Sequence, residues 1–390
     1  SSNSQATISF WIKTCFASSD QDQSIFESSN AGQTARFRFY INDQSGQKDI
    51  YMTLDGPSSN RDFRIPISYL SETEWVNIVY NIDVDNSTAA DKIKAWVNGV
   101  QVTSTVTTYQ SASNSDYFLF ANEEHMIGNL PPLAAGYANS FPLNSYLAEF
   151  HVLDGQLKAP TDFGQVDTAT NRWIPKDYKT NVGAYGNRGF YMAFASPTGT
   201  GNGVGTDTSG NGFNFAEKYG EDGSGSSSGS AAWSTSDQFV DTPSANYATL
   251  NRIIPPTPSH STGGNATMSE GNLKWDVDAS TNANSSFQTT SLAFQIQDGK
   301  WYYELESVDS AGGNLLTGLV DMFDASKTLS SGFLPDAIDG QVSYGIGGSS
   351  TTTDFITIDG TTLSGTSSPF NGADDIDNGD VLGVYIEKSK

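Results

Sequence analysis

The chain has 390 residues, 36% hydrophobic and 12% aromatic, which is enough to pack two or three domains. Its 44 acidic against 20 basic residues give a formal charge of -24, which repels phosphate backbones and anionic membranes and excludes nucleic acid as a partner. Only 16% of residues are charged, so Ser, Thr, Asn and Gly carry solubility, as in an extracellular or virion-like all-β protein.

Cys15 is the only cysteine, so no intrachain disulfide forms, and it reads as a small buried hydrophobe near a strand end. No apolar run is long enough for membrane insertion, and none reads as a signal peptide. Without an initiator Met, and opening almost inside a strand, the sequence reads as a fragment or a processed product.

In chain order, residues 7–13 (TISFWIK) alternate Ile8, Phe10 and Ile12 against Ser9 and Trp11, the period of a strand with one face on a core. Residues 36–41 repeat the pattern with Phe37, Phe39 and Ile41 inward, and residues 75–82 (WVNIVYNI) do so with Val76, Ile78, Tyr80 and Ile82. Residues 92–102 (KIKAWVNGVQV) place Asn98-Gly99 between two alternating runs, the signal of a type I′ hairpin. In residues 144–163 (NSYLAEFHVLDGQLKAPTDF), Tyr146, Ala148, Phe150 and Val152 fall on one face and Glu149 and His151 on the other. Asp154-Gly155 then turns the chain and Pro160 blocks further pairing. No helical period of useful length appears in this half, which predicts an antiparallel sandwich.

TISFWIK, WVNIVYNID, DKIKAWVNG and YLAEFHVLDGQ, in this order and spacing, resemble a laminin-G-like, or concanavalin A-like, jelly-roll domain over residues 1–161. The continuation APTDFGQVDTATNRWIPKDY, then GFYMAF, DTSGNGFNF and DTPSANYATLN, resembles a module set of structural proteins of marine tailed bacteriophages. The family's domain normally has a strand before TISFWIK, which here is expected to be absent or supplied from elsewhere.

Residues 162–245 read as an extended Gly/Ser-rich connector, in which Trp173-Ile174-Pro175 and residues 189–194 can still anchor against a sheet while 197–212 and 220–236 form flexible loops. DTSGNG at 207–212 has the look of a phosphate cradle but lacks the Lys and the following helix, so it reads as a turn. In residues 246–390, GKWYYELE followed at a distance by GDVLGV resembles a SPRY domain, again a concanavalin A-like sandwich and a binding module, and incomplete at its C-terminus here. The expectation is therefore all-β: two concanavalin A-like antiparallel sandwiches joined by a connector.

Glycan hydrolases on this fold use carboxylates that alternate along one strand, and Glu304, Glu306 and Asp309 invite that reading. Their order, E-x-E-x-x-D, reverses the E-x-D-x-x-E of laminarinase-type glucanases, so a solvent-facing strand side is expected and no catalytic residue is assigned. His125, His151 and His260 lie far apart without zinc spacing, and His151 alternates with core-facing positions as a partly buried sheet residue. Two acidic turns offer hard oxygen ligands of the kind calcium takes: Asp83, Asp85 and Asp91, and Asp375, Asp377 and Asp380 within ADDIDNGD. Neither has a full loop spacing, and solvated acidic turns are the alternative. Trp96 and Tyr302 are read as exposed aromatics for stacking on sugar faces, or for packing on a neighbouring subunit.

Taken together, these features lead to the expectation of a non-catalytic virion structural protein, a homo-oligomer that contacts other virion proteins and a host-surface glycan. It would be assembled in the host cytoplasm and displayed outside. The alternative is a secreted bacterial glycan-binding protein or glycanase accessory module.

Overall fold

The computed structural model describes residues 4–15, 22–29, 36–42, 48–56, 59–71, 74–113, 119–120, 124–129, 141–195, 203–215, 241–247 and 249–251, together with strands and a few adjoining residues further on. By contacts the chain falls into two units, the first comprising Ser1–Asn251, Thr267–Asp276 and Thr290–Leu292 and the second the rest up to Lys390.

In the first unit the alternating runs become β1 (Gln5–Thr14), β2 (Gln23–Ser29), β3 (Arg36–Asn42), β4 (Asp49–Gly56), β5 (Ser59–Ile65), β6 (Val76–Asp83), β7 (Ile93–Val97), β8 (Val100–Val102), β9 (Glu124–Ile127) and β10 (Ser145–Asp154). Three short strands follow, β11 (Gly164–Val166), β12 (Trp173–Pro175) and β13 (Phe190–Met192). Eleven of them form a six-stranded sheet in the order β13-β10-β1-β6-β7-β8 and a five-stranded sheet in the order β5-β4-β3-β2-β9, and β11 pairs with β12 alone, with antiparallel neighbours throughout. This is the all-β concanavalin A-like sandwich. The inward residues of both sheets, among them Ile8, Phe10, Phe37, Phe39, Met52, Ile78, Tyr80 and Phe150, make one core. Phe10 stacks on Phe150 with centroids 5.3 Å apart and meets Phe39 edge-on at 5.7 Å, the geometries that aromatic quadrupoles favour. The predicted hairpin between β7 and β8 turns through Asn98 and Gly99, both at positive φ (48° and 77°) as type I′ requires.

Two features differ from the sequence reading. β10 does not keep one phase: its pairing with β1 slips between Ser9↔His151 and Trp11↔Ala148, and Glu149 at the slip has φ 51°, a β-bulge with a non-glycine residue in the left-handed region. Phe150 and Val152 therefore enter the core between the sheets, whereas Tyr146 and Ala148 turn to the outer face with Trp11, Cys15 and Trp75. The continuous period-2 pattern hides the extra residue, because apolar groups are wanted on both faces.

The second difference concerns the connector. Its described residues, 162–195, 203–215 and 241–245, pack against the first sandwich: β13 joins the six-stranded sheet beside β10, as expected for an anchor at 189–194, Asp207 bridges to Met192, and Phe163, Tyr178, Tyr185 and Asp241 help to cover the outer face of that sheet. Trp11 and Lys13 on that face are consequently buried, and Trp173 donates its indole N–H to Asn77 Oδ1 at 3.3 Å. A Cβ added at Gly99 would lie 2.8 Å from the Trp173 ring, so the hairpin glycine also provides the space in which this tryptophan sits. The individual apolar pieces here, such as Trp173, Tyr178, Tyr185 and Tyr191, are too short to register as periodic segments. They are held because the aromatic outer face of β1 and β10 gains free energy from being covered.

In the second unit, Leu315–Leu319, Val342–Ile346, Phe355–Ile358 and Thr361–Ser364 form a four-stranded antiparallel sheet, and Gly299–Glu306 pairs antiparallel with Val381–Lys388. No helix among the described residues is long and apolar enough to cross a membrane.

Candidate functional site

β3 alternates buried and half-buried residues, so the strand that sends Phe37, Phe39 and Ile41 inward sends Arg36, Arg38, Tyr40 and Asn42 to the opposite face. Register places β2, β4 and β5 partners beside them. Glu27 lies opposite Arg38, Arg38 opposite Thr53, and Thr53 opposite Asp62. Ser29, Arg36 and Asp55 form a second row, and Tyr40, Tyr51 and Arg64 a third. The outer face of the five-stranded sheet is thus a grid of arginines, carboxylates and tyrosines with strand spacing of about 4.8 Å, comparable to the width of a hexose ring.

Three ion pairs order this grid. Arg38 Nε meets Glu27 Oε2 at 3.1 Å, Arg36 meets Asp55 Oδ2 at 2.8 Å, and Arg64 meets Asp49. In each pair the carboxylate is deeper, with side-chain exposures of 2%, 6% and 3% for Glu27, Asp55 and Asp49 against 14%, 24% and 26% for their arginines. Solvent therefore meets guanidinium N–H donors above a layer of acceptors. The aromatic part is continuous with them: Arg38 lies 4.4 Å over the Tyr40 ring, Tyr40 stacks on Tyr51 at 5.5 Å and 20°, and Arg64 lies 5.8 Å from the Tyr51 centroid. Burial raises the Glu27 carboxyl above its ordinary value despite Arg38, and raises Asp22 and Asp62 likewise. It also pushes the Tyr40 phenol up to about 12, so both tyrosines stay neutral hydroxyls at physiological pH.

A second cluster lies on the outer face of the six-stranded sheet. His151 is buried, stacked on Tyr191 with centroids 4.1 Å apart, with Nδ1 3.0 Å from the Tyr185 hydroxyl and Nε2 3.6 Å from Glu149 Oε2. The Tyr191 hydroxyl donates to the same Glu149 oxygen. Burial holds the imidazole below its ordinary value. Burial works upward on Glu149, but hydrogen bonds from His151 and Tyr191 hold its carboxyl low.

The sequence-derived candidates fall as follows. Trp96 is not an exposed platform: it is half-buried, packed with Val79, Leu153 and Tyr191 under the folded-on segment. Tyr302 is exposed. Asp83 accepts from Asn86 Nδ2 at 3.2 Å and Asp91 pairs with Lys94 at 3.1 Å. Among the described residues no group of three or more acidic, His or Cys side chains that could hold a metal ion is found, Asp83, Asp85 and Asp91 included. Asp375, Asp377, Asp380, Asp309 and His260 lie outside the described residues. His125 Nε2 lies 2.7 Å from the Leu119 carbonyl oxygen. Glu304 and Glu306 share the exposed side of their strand. The DTSGNG segment is a turn closed on its own acid: Asp207 accepts from the backbone N–H groups of Tyr191, Ser209 and Phe213 at 2.8 to 2.9 Å, so its donors are spent internally. Cys15 is buried, as the sequence suggested.

The arginine and tyrosine grid escaped the sequence reading, although the signal was present: the polar positions of β3, Arg36, Arg38 and Tyr40, alternate as regularly as the apolar ones.

Residues 1–161 match the family model of the concanavalin A-like lectin/glucanases superfamily. Among solved structures the chain is similar to the CBM40 of the Ruminococcus gnavus IT-sialidase bound to alpha2,3 sialyllactose, at 17% identity over 36% of this chain and 72% of that one, with TM-score 0.25. It is similar to the native heptameric SAP-like pentraxin from Limulus polyphemus, at 17% identity over 40% of this chain and 65% of that one, TM-score 0.26. A third similarity is to the NanB sialidase from Streptococcus pneumoniae, at 16% identity over 43% of this chain and 26% of that one, TM-score 0.29. No curated protein sequence matches the chain.

Proposed function

We propose that this chain is a non-catalytic glycan-binding structural protein, displayed on a virion as a homo-oligomer and contributing to host attachment through the outer face of its five-stranded sheet. The observation that carries the reading is the grid just described, in which guanidinium donors, buried acceptors and two stacked tyrosines lie together on one rigid sheet. Sugars offer alternating hydroxyls and an apolar ring face, and a surface of paired donors and acceptors beside aromatic rings complements both. The match of residues 1–161 to a lectin and glucanase superfamily supports binding of this class.

A binding role is favoured over hydrolysis by the state of the carboxylates. Glu27, Asp49 and Asp55 are each engaged by an arginine, whereas a glycosidase needs one carboxylate free to attack or activate water and a second held protonated beside the scissile bond. The virion setting rests on the ordered motifs of residues 160–251 and on the scarcity of cysteine. Multiple copies on one particle would turn weak single sites into firm attachment.

The test incubates the purified chain with a panel of bacterial surface polysaccharides, scoring retention and reducing-end release separately. Tyr51→Ala and Arg38→Ala are expected to weaken retention about tenfold, the scale of one lost stacking or charge-assisted contact. Unchanged retention in both variants would remove the site from this face. Release of reducing ends that is abolished by Glu27→Gln would overturn the non-catalytic reading.

A further inference from the structure

A different surface lies in the second unit, on the strand pair that carries Tyr302. The strands Gly299–Glu306 and Val381–Lys388 pair with Tyr302 opposite Tyr385, Glu304 opposite Gly383 and Glu306 opposite Val381. Tyr303, Leu305, Leu382 and Val384 share the other face and are half-buried. On the first face Tyr302 is 61% exposed and Tyr385 56%.

Tyr302 does not stand up from the strand as an exposed side chain ordinarily would. A Cβ built on Gly383 would come within 2.6 Å of the Tyr302 hydroxyl oxygen, 3.2 Å of Cε2 and 3.3 Å of Cζ, so the ring lies down across the neighbouring strand in the space the glycine leaves. Its hydroxyl donates to Glu304 Oε1 at 2.7 Å, which fixes the ring at its far end as well. An aromatic ring held flat at both ends presents one broad face to solvent and loses little conformational freedom when something stacks on it. Glu304 and Glu306 line the same side, both exposed, in a chain of formal charge -24.

We infer that Tyr302, with Tyr385 beside it and Glu304 and Glu306 as acceptors, is a platform for a neutral hexopyranose unit of a polysaccharide. The C–H face of the sugar stacks on the Tyr302 ring and its hydroxyls donate to the carboxylates. The charge of those carboxylates selects among occupants: uronic, sialic or sulfated sugars are repelled, whereas hydroxyl donors are attracted. This site is separate from the arginine and tyrosine grid of the first sandwich, and the two are distinguished by variants that touch only one of them.

The experiment uses the full chain in affinity electrophoresis through gels containing a neutral glucan (dextran or laminarin) or an acidic polysaccharide (alginate). A background carrying Tyr51→Ala on the first sandwich removes that contribution. Tyr302→Ala and Gly383→Val, the latter pushing the ring off its seat while keeping the tyrosine, are each expected to weaken retention in neutral glucan about five- to tenfold. Tyr302→Phe, which keeps the ring, is expected to stay within about threefold of the parent. Should Gly383→Val fail to fold, as judged by circular dichroism, Tyr302→Ala and Glu304→Gln carry the test. Equal retention of Tyr302→Ala and parent, preference for alginate, or no retention in either glucan would overturn the inference. So would a loss of self-association in Tyr302→Ala with glucan retention unchanged, because the platform would then be a contact between copies of the chain. None of these results bears on the first sandwich, which is read by Tyr51→Ala and Arg38→Ala with Tyr302 intact.

Discussion

Lys13 offers the sharpest test of how the outer face of the six-stranded sheet is closed. Its side chain is fully buried, and its ammonium reaches Asp241 Oδ2 at 2.7 Å, Tyr247 O at 2.8 Å and Asn246 Oδ1 at 3.0 Å, while the other oxygen of Asp241 accepts from the Trp75 indole at 2.6 Å. Lys13→Met fills much of the same volume but leaves the 7%-exposed Asp241 carboxylate without its cation and removes the ammonium from Asn246 Oδ1 and Tyr247 O. Removing one partner of a buried pair costs about 3–5 kcal/mol, a large share of the roughly 5–15 kcal/mol that holds an ordinary domain together. Lys13→Met with Asp241→Asn leaves no unpaired charge and an amide oxygen that still accepts from Trp75, so the double variant should recover most of the loss. Urea unfolding followed by tryptophan fluorescence measures all three, and limited proteolysis reads whether residues 241–247 come loose first. A single variant within about 0.5 kcal/mol of wild type, or a double variant no better than the single, would refute the reasoning.

Two further outcomes follow from buried polar groups. The Tyr80 hydroxyl sits in the core between Phe39 and Phe63 with no hydrogen-bond partner among the described residues, so Tyr80→Phe should leave stability unchanged or raise it by about 1 kcal/mol, and a clear fall in the thermal midpoint would show that the hydroxyl is satisfied after all. His151 is held neutral below its usual 6.5, so the folded state takes up its proton later than the unfolded chain does. Its contribution is complete above pH 6.5 and is lost as pH falls below that value, and His151→Phe should flatten the decline in urea midpoint between pH 7.5 and 5.5. Glu27, Asp22 and Asp62, held high, bias the wild type in the opposite direction, so only the difference between the two proteins reports the imidazole.

The fold was legible where one period extended over a whole strand: β1, β3, β6 and the Asn98-Gly99 hairpin all lie where alternation put them. The candidate site was not, because its rows run across strands. Glu27, Arg38, Thr53 and Asp62 are separated by 11, 15 and 9 positions along the chain, and only register brings them side by side. Alternation along β3 separates Arg38 from Phe39 without revealing what Arg38 will face. That His151 is fully rather than partly buried escaped for a related reason: its cover comes from Phe163, Tyr178, Tyr185 and Tyr191, scattered through a stretch whose Gly and Ser content suggests a linker.

The extra residue at Glu149 acts on β10 as a phase inverter. Upstream of it the odd-numbered position Leu147 packs toward the core, and downstream the even-numbered Phe150 and Val152 do. A one-residue deletion anywhere between Ser145 and Glu149 would leave the composition almost untouched, yet it would exchange inside for outside along half the strand. Sequence drift in this stretch is therefore free to swap side chains but not to change its length, and insertions or deletions should be tolerated only in compensating pairs.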